Sequence, residues 1–174
     1  MKLKIEDLKD FCRGAAFLGT GGGGDPYVGR LLVQQEMEKG CDVTILDPIE
    51  LDDDALVIPV AGMGAPTVMA ERFPRIESLL VAIRAMEKKL GKKASAVMPI
   101  EVGGINSTVP LVVAARTGMP VVDADGMGRA FPELQMVTFG IYDCKAAPVV
   151  LTNDHEDIVT VETQVNERAE KLAR

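Results

Sequence analysis

With 174 residues, 47% of them apolar but only 4% aromatic and none tryptophan, the chain can bury a core of Val, Leu, Ile, Met and Ala, and it offers few rings for base stacking. A formal charge of −7, with no Lys/Arg stripe to reverse it locally, opposes adsorption to polyanions, so no nucleic acid is expected as a partner. No apolar run reaches the roughly 18 residues of a membrane span and the start "MKLKIEDLKDF" is no leader peptide, while three odd, widely spaced cysteines (Cys12, Cys41, Cys144) imply reduced thiols in the cytoplasm, with no disulfide framework or zinc site.

Taken in chain order, residues 5–18 place Ile5, Leu8, Phe11, Cys12 and Ala15 on one helical face. The run "GTGGGGDPYVG" ends that helix. Asp25 then reads as an N-cap with Pro26 in the first turn, opening a second helix that runs to about Lys39 and closes at Gly40. Strands are expected in "CDVTILD" and "ALVIPVAGM", separated by the acidic turn "LDDD". Helical spacing covers 67–90, broken by Pro74 and closed by Gly91. "SAVMPIE" reads as a buried strand, 106–117 as a helix interrupted by Pro110 or starting near it, and "MPVVDADG" as a short strand ending in acids. Three β-prone runs follow, "LQMVTFGIY", "APVVLTND" and "DIVTVE", with a turn between Asn153 and Asp157, and the segment "TQVNERAEKLAR" is helical. Helices alternating with strands and then a cluster of strands predict an α/β layered domain with a mixed sheet and flanking helices. Met- and Val-rich short strands suit the interface of a homo-oligomer and suit a plain core equally.

Four clusters carry the chemistry. The glycine run, with Thr20, Gly21, Gly22, Gly23, Gly24 and Asp25, puts backbone N–H donors at a helix start. Asp25 repels a full anion, so a neutral heterocycle with carbonyl oxygens fits better than a phosphate; the alternative is a loop packed tightly under another element. The run also satisfies G-x-G-x-x-G, with Asp47 after the next strand, but the preceding "FCRGAAFL" does not read as the strand that a dinucleotide fingerprint needs. In "PIEVGGINSTVP", Glu101 ends a strand ahead of Gly103, Gly104 and Asn106, a place where ligands bind in open α/β sheets. Glu101 is therefore either a general base or an acceptor for its own turn. In "VVDADGMGRAFPELQM", alternation in an extended chain would turn Asp123 and Asp125 to one side, pairing an acid with a base, and the alternative is a salt bridge from Arg129. "AGMGAPTV" closes a strand and places Thr67 to cap a helix or meet a ligand. The single histidine, His155, falls in a turn and is expected to be exposed, which leaves nucleophile triads without support.

Read together, "LGTGGGGDPYVG", "GMGAPTV", "EVGGINSTVP" and "GMPVVDADGMGRAFPELQM" resemble the S-methyl thiohydantoin desulfurase family, linked to hydantoin utilisation. The resemblance implies an N-terminal α/β domain (residues 1–174) of a two-domain protein whose C-terminal, β-rich domain lies outside this chain. It also implies hydrolysis of a small cyclic amide, S-methyl thiohydantoin, to hydantoin and methanethiol. Such chemistry needs a water activated by a carboxylate, donors that polarise the ring and a proton source. Glu101 or Asp125 would be the base, with Asp123 beside it. The glycine-run amides, Thr67, Gly103, Gly104 and Asn106 would hold the ring, and Arg129 would stabilise charge. No cofactor is expected, and whether the acids hold a metal is left open. The alternatives are a non-catalytic domain that binds a cyclic amide beside a ring-opening enzyme, and a dinucleotide-binding domain.

Overall fold

The computed structural model describes residues 1–64 and 75–174, which divide into two units. Each unit is built from two separate stretches of chain. Unit 1 comprises Met1–Gly62 and Lys93–Ala130, and unit 2 comprises Met63–Lys92 and Phe131–Arg174.

Unit 1 holds a five-stranded sheet formed by β1 (Lys2–Leu3), β2 (Val43–Leu46), β3 (Val57–Val60), β4 (Ala96–Pro99) and β5 (Val121–Val122), in the order β1-β2-β5-β4-β3. β1 runs antiparallel to β2 and the remaining pairs are parallel, so the sheet is mixed, as the alternating pattern predicts. The Val- and Ile-rich strands meet in register, with Ile45 beside Val121, Val121 beside Val97 and Val97 beside Ile58. Three helices belong to this unit: α1 (Leu8–Leu18), preceded by a 3-10 turn at Ile5–Asp7, then α2 (Pro26–Glu38), and the helix Val109–Thr117, which is α4 in chain order. The last of these packs against β2, β4 and β5 and also against α2. Held between sheet and helix, it is apolar all round, and every residue from Val109 to Ala115 is buried. Pro110 sits in its first turn, where a missing N–H costs nothing, and Gly118 closes it in a left-handed conformation. Asp25 caps α2 as expected, its carboxylate accepting the Tyr27 N–H at 2.8 Å.

Unit 2 contains α3 (Ile76–Leu90), closed by Gly91, the antiparallel hairpin β6 (Val149–Thr152) and β7 (Ile158–Val161), and α5 (Asn166–Ala173). The Ser78 hydroxyl donates to the Asn153 carbonyl at 2.9 Å and the Thr152 hydroxyl to the Ser78 carbonyl at 2.9 Å, which tie α3 to β6. Thr67 and the expected helix break at Pro74 lie outside the described residues.

Two sequence expectations are corrected. "LQMVTFGIY" forms 3-10 turns at Leu134–Met136 and Thr138–Tyr142 in place of a strand. Its N–H groups find partners other than a strand, Met136 donating to the Glu133 carbonyl, Gly140 to the Val137 carbonyl and Leu134 to the Glu170 carboxylate, because β-prone residues need a partner strand before their preference counts. "MPVVDADG" forms the expected short strand ending in acids, with the Asp123 N–H still donating to the Leu46 carbonyl at 2.8 Å, but Asp125 folds into its own turn and so does not share an extended strand with Asp123.

Candidate functional site

Parallel strands end at one edge of their sheet, so the loops after β3, β4 and β5 gather at the carboxyl edge of unit 1. The Gly126 N–H donates to the Ile100 carbonyl at 3.0 Å, joining the loop after β5 to the loop after β4. The Gly62 N–H donates to Asn106 Oδ1 at 2.8 Å and joins the loop after β3 to the same place. The glycine run closes the cluster, the Gly23 carbonyl accepting the Ile105 N–H at 2.8 Å.

What comes so close to the glycines is another glycine pair. A methyl group on Gly23 would lie 2.7 Å from the Gly103 Cα, and one on Gly104 would lie 1.9 Å from the Gly24 carbonyl oxygen. Gly23 and Gly24 also have positive φ values of 75° and 76°. The run is thus a backbone-on-backbone contact between two loops, and the N–H of Gly22 is used to hold its own turn through Gly19 at 2.8 Å. It joins α1 to α2, so the strand, turn and helix order of a dinucleotide fingerprint is missing. Asp47 caps a short 3-10 turn by accepting the Ile49 N–H at 2.9 Å.

Glu101 lies at the end of β4 and is buried, 6% exposed. Its Oε1 accepts the Asn106 Nδ2–H at 2.6 Å, and a methyl group on Gly103 would sit 3.5 Å from that same oxygen. The carboxylate is therefore set against the glycine contact. Asn106, read from the sequence as a ring-binding donor, uses both ends of its amide within the protein. Asp125 likewise turns inward, with Oδ2 accepting the N–H groups of Met127 at 2.8 Å and Gly128 at 2.5 Å, and so organises its own turn. Asp123 and Arg129 are exposed, and among the described residues Arg129 makes no ion pair with either aspartate. Thr20, Gly21 and Asp25 are exposed around the glycine contact.

Sequence reasoning missed two participants, Gly62 and Thr108. The Thr108 hydroxyl donates to the Ile105 carbonyl at 2.7 Å, and it leaves no space for a side chain at Gly29, where a methyl group would lie 1.9 Å from Thr108 Oγ1. The polar run "INST" immediately ahead of an apolar helix was the available signal for Thr108; nothing local marks Gly62. Cys12 is buried behind the loop with its thiol 3.9 Å from the Pro26 carbonyl. Burial pushes that thiol up, Arg30 opposes the shift and Asp25 adds to it, which suits a packing residue better than a nucleophile. Among the described residues no group of three or more His, Cys, Asp or Glu side chains could hold a metal ion, and no helix is long and apolar enough to cross a membrane.

Residues 6–163 match the family model described as S-Me-THD-like, N-terminal domain. The chain belongs to this family. The same fold is found in the X-ray crystal structure of a protein from Chromobacterium violaceum, which is 29% identical and superimposes with a TM-score of 0.82. That match covers 99% of this chain and 49% of the other, so the S-Me-THD-like chain spans about half the length of its solved relative. No curated protein matches the sequence.

Proposed function

We propose that this chain is the α/β half of a hydrolase acting on a small cyclic amide, with S-methyl thiohydantoin as substrate and hydantoin and methanethiol as products. The observation that carries the proposal is the buried Glu101 carboxylate, held by Asn106 against the glycine contact at the carboxyl edge of the sheet. Family membership supports the substrate class.

In this reading Glu101 takes a proton from water as the oxygen adds to the ring carbon bearing the methylthio group. The C–S bond then breaks, and methanethiolate leaves with the proton returned by the Glu101 carboxylic acid. Glu101 is favoured over Asp125 as the base because its carboxylate is buried against the glycine contact, where bulk water does not screen it. The amides of Gly21, Gly23 and Gly24 would face the ring's carbonyl and nitrogen, while the exposed Arg129 and Asp123 would handle charge and proton exchange with solvent.

Methanethiol release from S-methyl thiohydantoin tests this, measured with the 174-residue chain and with a polypeptide that also carries the expected second domain. Release that drops by about a thousandfold or more in Glu101→Gln supports the assignment. Undiminished release in that variant removes Glu101 from the mechanism. The second reading, a binding module without turnover, is favoured by the internal commitments of Asn106 and Asp125. Saturable hydantoin binding by a folded protein with no thiol release would establish it.

A further inference from the structure

Asn106 is 8% exposed and stands five residues after Glu101, on the loop that leads into the buried helix 109–117. Its amide spans two elements. Oδ1 accepts the Gly62 N–H at 2.8 Å, and Nδ2 donates to Glu101 Oε1 at 2.6 Å. The orientation of this amide is dictated chemically. A backbone N–H can only donate, so the atom facing Gly62 must be the carbonyl oxygen, and the amino group is left to face the carboxylate. Few side chains can meet both demands at this size. Aspartate would offer Glu101 an acceptor, alanine would offer nothing, and serine has a single group with which to reach two partners.

We propose that Asn106 is the positioning residue of the site, fixing Glu101 and the loop after β3 as one unit, so that displacement of either is felt by the other. This deepens the hydrolase reading and rests on it for the catalytic consequence, though the coupling itself can be read without a substrate. Gly62 lies just beyond the β3 strand, whose partner β4 carries Glu101 past its end, so the amide bridges neighbouring strand ends that the ladder no longer joins. A buried polar network of this kind gains from having every member satisfied and suffers when one is not.

The test uses Asn106→Asp, Asn106→Ala, Glu101→Gln and the double variant Glu101→Gln/Asn106→Asp. Asn106→Asp keeps an acceptor for the Gly62 N–H but sets two carboxylates against each other, so the melting temperature is expected to fall by several degrees. In the double variant the amide introduced at position 101 can donate to the carboxylate introduced at position 106. That reverses the polarity of the bond, and most of the lost melting temperature is expected to return. The amide NMR signal of Gly62 should stay near its wild-type position in the double variant and move in Asn106→Ala. For turnover, Asn106→Asp should lower kcat for methanethiol release by about tenfold or more with KM nearly unchanged, a split that a purely structural role would not produce. Strictly additive melting shifts, or a Gly62 signal indifferent to Asn106→Ala, would overturn the proposal. Variants that show the coupling, in a protein that releases no methanethiol even with its second domain present, sink the hydrolase reading and leave the Asn106 linkage standing.

Discussion

At Gly104 a single methyl group would collide with the Gly24 carbonyl at 1.9 Å and with the Pro26 ring at 2.8 Å, and both obstacles are parts of the main chain's path. Neither can rotate away as a side chain tip would. Gly104→Ala is therefore expected to destabilise by about 3 kcal/mol or more, read from urea unfolding. Gly14 supplies the contrast. It is exposed within α1 with nothing near its missing methyl group, so Gly14→Ala should stabilise by about 0.5–1 kcal/mol. Equal losses at the two positions would refute the close-approach account. Both glycines are visible in the sequence, yet nothing local tells them apart, because the partner of Gly104 lies some eighty residues earlier in the chain. Asn106 presented the same difficulty: its position ahead of a helix was legible, but the two groups it joins were not.

At the scale of elements, α2 and the helix 109–117 approach closely at Gly29 and Thr108, and an ion cluster around the buried Glu36 carboxylate links them further along. The Glu36 side chain is 4% exposed and accepts from Lys39 Nζ at 2.8 Å and from Arg116 at 3.3 Å. The Lys39 hydrogen bond, helped by Arg116, holds the Glu36 carboxyl below its ordinary value of 4.5 despite the opposing effect of burial. A carboxylate whose folded-state value is lowered contributes stability that is fully present above the unfolded value and is lost as pH falls through the folded one. Glu36→Gln should thus cost only about 1 kcal/mol near pH 7, because Lys39 is half exposed and Arg116 one-third exposed and solvent screens both, and the deficit should shrink as pH falls below the ordinary carboxylate range. Urea unfolding of both proteins across that range checks it, and a deficit independent of pH would count against the ion cluster. Capping and periodicity made α2 readable from sequence, since Asp25, Pro26 and Gly40 act within one turn of their own positions. The run at 134–142 was misread because β-prone residues were judged without knowing whether a strand stood beside them.

Across the whole molecule each unit draws on two stretches of chain, so no shift of composition marks a boundary. β2 has its parallel partner at Val121–Val122 and β3 at Ala96–Pro99. Residues 1–62 alone would leave both strands unpaired on that side, and the fragment is expected to show some helix by circular dichroism but no cooperative thermal transition. A sharp transition in it would mean that the sheet is not what stabilises the first stretch. Composition, charge and local periodicity were enough for the α/β class, for most helices and strands with their caps, and for the ordered motifs that mark the family, because each of these is decided by residues within a few positions of one another. Only the tertiary structure decided that the glycine run faces a second glycine pair and that Asn106 bridges Gly62 and Glu101. Those are contacts between distant segments, and they are set by which strands become neighbours, a property that no local stretch of residues contains.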